Sequence, residues 1–121
     1  MFNNSLARQL DIVFRQLRNE LSQLSSGTVF IQIRNNIIGK FGIRHLPLET
    51  KDGKLVKQPV TGLSPQQQIS FLRMAIDSLD YKSAWTHGEM FLDFSVRQSN
   101  LCASVQFESN YNMAHLPPAD K

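Results

Sequence analysis

One cysteine, Cys102, stands in 121 residues, so no internal disulfide can form and a reducing cytoplasm is the expected home. No apolar run approaches the roughly 20 residues that a membrane span needs. Arg8, Asp11 and Arg15 interrupt the N-terminal segment where a signal peptide would be continuously apolar. Neither a phosphate-binding glycine loop nor a GxGxxG, GxSxG, CxxC or HExxH pattern occurs. His45, His87 and His115 are too scattered to make a recognised zinc spacing with Cys102. Nothing surrounding Cys102 and His87, the nucleophile–base combination on offer, favours their pairing. The expectation is therefore a protein with no catalytic site, no metal, no cofactor and no membrane association.

What is present suits a single globular domain over residues 1–121. The chain is long enough to bury a core without staples, and 41% of it is hydrophobic against 19% charged. Its formal net charge of +3 is mild but unevenly spread. Arg34, Lys40, Arg44, Lys51, Lys54 and Lys57 fall within residues 28–63, where Glu49 and Asp52 are the only acids. Elsewhere acids and bases nearly balance.

Leu6, Leu10, Val13, Phe14, Leu17, Leu21 and Leu24 recur every three or four residues, which predicts a first amphipathic helix. Asn4 or Ser5 would cap its start, and Ser25-Ser26-Gly27 would end it. Strict alternation then begins. Val29, Ile31 and Ile33 face one way, and Phe30, Gln32 and Arg34 the other. On the return strand Phe41 and Ile43 alternate with Lys40, Gly42 and Arg44. Pairing Val29 with Ile43 and Ile31 with Phe41 gathers the apolar bulk on one side, which requires an odd-length loop around Asn35-Asn36-Ile37. Asp52-Gly53 signals a type I′ hairpin, with a third, edge-like strand over residues 54–58 ended by Pro59.

Ser64-Pro65-Gln66-Gln67 reads as a capping box with proline at the first helical position. It opens a second helix whose stripe is expected to be Ile69, Leu72, Ala75, Ile76 and Leu79, flanked by Phe71. In the last strand pair Met90, Leu92, Phe94 and Val96 should face inward with Leu101, Ala103, Val105 and Phe107. Residues 109–121 read as a flexible or docked tail.

The expected fold is α+β: an antiparallel sheet of four to five strands, with two amphipathic helices on one face, in the order α-β-β-(β)-α-β-β. A short likeness between SGTVFIQIRNN and HGEMFLDFSVRQSN, each following a helix, adds the expectation of a helix–hairpin unit used twice.

The face opposite the core would collect Phe30, Gln32, Arg34, Lys40, Arg44, Phe91 and Arg97. Exposed aromatics beside arginine mark protein interfaces, so the expected partners are another protein and a second copy of the chain. The same residues could stack and neutralise a nucleic acid or an anionic nucleotide, the alternative reading. Trp85 is expected to close the core at the helix–sheet junction, or else to serve as a binding anchor.

Overall fold

The computed structural model describes residues 4–56 and 61–115. Helix α1 (Asn4–Gln16) runs into a short α2 (Arg18–Leu21), then strands β1 (Ser26–Arg34) and β2 (Ile37–Arg44) follow. A small ribbon, β3 (Thr50–Lys51) and β4 (Lys54–Leu55), precedes α3 (Pro65–Ser78), which ends in a 3-10 turn over Leu79–Tyr81. Strands β5 (His87–Arg97) and β6 (Asn100–Ser109) complete the sheet, before a final 3-10 turn at Met113–His115. The fold is α+β, with every strand pair antiparallel and the main sheet ordered β2-β1-β5-β6.

The inward pattern of the strands meets the inward faces of the helices in one core. Leu6, Leu10, Val13, Phe14, Leu17 and Leu21 are buried with Val29, Ile31, Ile33, Met90, Leu92 and Phe94. The stripe survives the junction at Leu17 because the hydrogen-bond ladder does: Leu17 N–H donates to Val13 O and Leu21 N–H to Leu17 O. Leu101, Val105 and Phe107 on β6, and Ile38, Phe41 and Ile43 on β2, are only partly buried. Ala103 is exposed. The helices thus cover the two central strands well and the two outer strands partially.

Several expectations are corrected. Asn4 and Ser5 lie inside α1, so neither caps it. Gly27 belongs to β1, opposite Phe94, and does not end the helix. That helix closes instead through three-residue hydrogen bonds at Gln23 and Leu24, and Leu63 N–H satisfies the carbonyl of Leu21. Gly62 makes this crossing possible: its φ is +67°, and a Cβ there would fall 1.9 Å from Ser22 O.

The Asn35-Asn36 loop is even, not odd. Both residues have positive φ, 51° and 64°, as a two-residue type I′ turn requires. Parity is recovered further along: Ile33 pairs with Ile38 but Ile31 with Phe41, so β2 carries a bulge at Gly39-Lys40 opposite Gln32. The expected pairs Val29–Ile43 and Ile31–Phe41 form.

The Asp52-Gly53 turn has the positive φ values expected of it, 55° and 77°. Its strands, however, pair with each other alone and form a separate ribbon. Lys57 and Pro59 lie outside the described residues, as do Pro117 and Pro118 of the tail. In α3 the capping box forms as read, with Gln67 N–H donating to Ser64 Oγ and Ser64 N–H to Gln67 Oε1. The buried face is rotated, though: Phe71, Ala75, Ser78 and Leu79 are buried while Ile69 is 52% exposed. The large Phe71 ring decides this. It packs edge-on against Phe14 at 5.3 Å and tilted against Phe94 at 5.4 Å.

Candidate functional site

The face of the sheet turned away from the core is laid out in rows by strand register. In the central row Gly42, Phe30, Phe91 and Gln106 follow one another across the four strands. Toward one end the next row is Gln32, Glu89 and Glu108. Toward the other it is Arg44, Thr28, Asp93 and Ser104. Beyond that lie Ser26, Ser95 and Cys102.

Phe30 and Phe91 are therefore direct cross-strand neighbours at the middle of the sheet, both half-buried. Phe30 leans over Gly42, where a Cβ would come within 2.8 Å of its Cζ, so the glycine is what lets the ring lie down. Lys40 Nζ stands 6.0 Å from the Phe30 ring centroid. Arg44 reaches across β1 until its Cζ lies 5.8 Å from the Phe91 centroid. At such exposed sites these contacts are worth about 0.5–1 kcal/mol each at most. Their larger effect is to keep two cations beside the aromatic pair. Thr28 Oγ1 donates to Asp93 Oδ1 at 2.5 Å, pinning the neighbouring row.

Apart from Arg97 at the far end of β5, the charges divide by hairpin. Arg34, Lys40 and Arg44 belong to β1 and β2; Glu89, Asp93 and Glu108 belong to β5 and β6. Glu89 and Glu108 are paired across β5 and β6. Partial burial pushes the Glu89 carboxyl above its ordinary pKa, and the hydrogen bond and negative charge of Glu108 push it further. A hydrogen bond from Gln32 and the positive charge of Arg44 oppose that rise.

The register thus brings together Phe30, Gln32, Lys40, Arg44 and Phe91. Arg34 lies at the end of the same face, opposite His87. Arg97 is at the far end of β5, beside the β5–β6 turn, and does not join the group. Trp85 is 2% exposed and belongs to the core, with Phe107 edge-on at 5.5 Å and Lys82 Nζ 5.0 Å from the ring centroid. Its indole N–H has no acceptor among the described residues.

The acids of this face are also legible in the sequence. Alternation alone puts Glu89 on the outer face, and the pairing of Val96 with Leu101 sets Glu89 opposite Glu108. Asp93, by contrast, faces Ser104. Cys102 is exposed and opposite Ser95, eight positions along β5 from His87, or about 26 Å. That distance separates the two as a nucleophile–base pair. No group of metal-ligating side chains occurs among the described residues, and no described helix is long and apolar enough to cross a membrane.

No protein family model matches the chain, and no curated protein or solved structure matches it.

Proposed function

We propose that this chain is a small, non-catalytic cytoplasmic binding protein that regulates or shields a protein partner, and that it works as a homodimer. The observation that carries this reading is the outer face of the sheet: a half-buried Phe30–Phe91 pair, flanked by cations from one hairpin and carboxylates from the other. Aromatic and arginine side chains at the centre with polar groups around them are the composition of a protein-binding patch. A face carrying both signs of charge suits a partner that is itself mixed. A polyphosphate backbone would meet Glu89, Asp93 and Glu108 as well as the bases, which weakens the nucleic-acid alternative.

The test uses the native extract in two arms, one treated with nuclease and one left untreated. Immobilised wild type should retain a protein, and the Phe30→Ala/Phe91→Ala double variant should lose it while melting as a folded domain. Reversing Arg34, Lys40 and Arg44 to Glu should slow association and change its salt dependence, since these side chains leave the sheet opposite the core. Recovery of nucleic acid in place of protein, with affinity falling steeply as salt rises, would replace this reading with phosphate binding.

A further inference from the structure

The two outer strands of the sheet are finished differently. Each follows a two-residue turn with positive φ at both positions, Asn35-Asn36 before β2 and Gln98-Ser99 before β6. In each half a helix glutamine donates its side-chain amide to the second turn residue: Gln9 to Asn36 O at 3.0 Å, Gln67 to Ser99 O at 3.1 Å. The other end of that side chain is where the halves part. Gln9 Oε1 accepts the N–H of Ile38, the second residue of β2, at 2.6 Å. Gln67 Oε1 is engaged by Ser64 N–H in the capping box. The corresponding second residue of β6 is Leu101, and no described side chain takes its N–H.

The remainder of each edge follows suit. Strand β2 is bulged at Gly39-Lys40, a feature that blunts an edge against pairing with another strand. Strand β6 has regular register from Asn100 to Ser109 and carries no bulge. Arg97 and Asn100 close a two-residue turn as its hydrogen-bonded pair, and Asn110 N–H reaches His87 O at 2.9 Å in the same phase. The even-numbered residues of β6 therefore turn their backbone groups toward β5. Leu101, Ala103, Val105 and Phe107 turn theirs outward, to the open edge.

We propose that β6 is the seam of a two-fold homodimer, pairing antiparallel with its own copy near Ser104 and Val105 so that two four-stranded sheets become one. This rests on the homodimer reading above and gives it a location. The occupant is a second copy because the strand complements itself. Glu108 is its only charged residue and lies near its C-terminal end, so antiparallel pairing carries the two carboxylates roughly 20–25 Å apart. The uncharged stretch from Asn100 to Phe107 is left to meet itself. On the core side Leu101, Val105 and Phe107 are only partly buried. Val105 and Phe107 form one apolar wall of a groove of about 590 Å³, with Met74 and Tyr81 on the other beside Arg73 and Asp77, whose opposite charges offset one another. Tyr81 is 85% exposed there. The partner's equivalent residues would extend that apolar stripe past the edge and cover it.

Light scattering on the full chain, from low to high micromolar concentration, tests the seam. Wild type should show twice the 13.8 kDa chain mass. Ala103→Pro removes an outward N–H without touching the β5 ladder, and Ala103→Lys places a charge in the seam at an exposed position. Both variants should halve the mass and keep the far-ultraviolet circular dichroism of the wild type. Two variants still dimeric at full strength would overturn the seam while leaving the dimer. A wild type that stays monomeric throughout would overturn both.

Discussion

The hairpins β1–β2 and β5–β6 occupy equivalent places on either side of the Phe30–Phe91 pair, yet they are built for different surroundings. The first is basic on its outer face, is bulged at its edge and has its second edge residue held by Gln9. The second is acidic on that face and regular to its end. Similar local geometry, two-residue turns tied down by helix glutamines, thus supports one closed edge and one open edge. Edge protection is consequently a property of a few side chains and one inserted residue, and not of the hairpin as a fold element.

The largest effect should come from breaking what the hairpins share. Phe71 touches Phe14 from α1 and Phe94 from β5, so Phe71→Ala should cost about 3–5 kcal/mol in denaturant melts. Amide exchange should accelerate in both hairpins together. Loosening confined to β5–β6 would show the halves to be separable, and the comparison between them would become one between independent units.

Exchanging the roles of the two glutamines comes next. Gln9→Ala forfeits hydrogen bonds to Asn36 O and from Ile38 N–H, and should cost about 0.5–2 kcal/mol. It should also speed exchange of the Ile38 amide selectively. Gln67→Ala removes half of a capping box and a tie to Ser99, for about 1 kcal/mol. Of the two, only Gln9→Ala should increase association at high concentration, because only it opens an edge. Equal association in both variants would leave the bulge at Gly39-Lys40 as the whole of the protection on β2.

Much of this was legible in the residues. Alternation in VFIQIR and MFLDFSV assigned the faces, because a side-chain period of two leaves no other way to bury Val29, Ile31, Ile33, Met90, Leu92 and Phe94. The capping box was readable because all its partners lie within four residues of one another. The bulge was not. Ile37 and Ile38 are both apolar, so either could have faced the core, and an odd loop and an even loop with a bulge both turn Val29, Ile31, Ile33, Phe41 and Ile43 inward. Helix α3 offered apolar residues at 69, 71, 72, 74, 75 and 76, a band wide enough to rotate, and only Phe14 and Phe94 across the core select Phe71. The Asp52-Gly53 turn announced a hairpin, but a turn carries no information on whether its strands join a larger sheet. The meeting of Phe30 with Phe91 depends on β1 pairing with β5 across 61 residues, which no local pattern encodes.

The smallest effect concerns the acid pair that makes the second hairpin the negative one. Glu89 holds its proton more tightly in the folded chain than at its ordinary value of 4.5, because of partial burial and the adjacent Glu108. The sign follows from proton binding: as pH rises through 4.5 toward the folded value, the unfolded chain releases this proton first. Stability should therefore fall across that window and stay lower above it. The pair is largely solvated, so the total is small, and Glu89→Gln should change neutral-pH stability by no more than roughly ±0.5 kcal/mol. The more telling reading is the slope. In melts taken from acid to neutral pH, Glu89→Gln should flatten the decline, since one carboxylate no longer has to be created beside the other. Arg44→Gln should steepen it, because that guanidinium is the cation that opposes the rise across the sheet. If Arg44→Gln leaves the slope untouched, the basic hairpin does not reach the acidic one, and the two halves of the outer face act as separate patches.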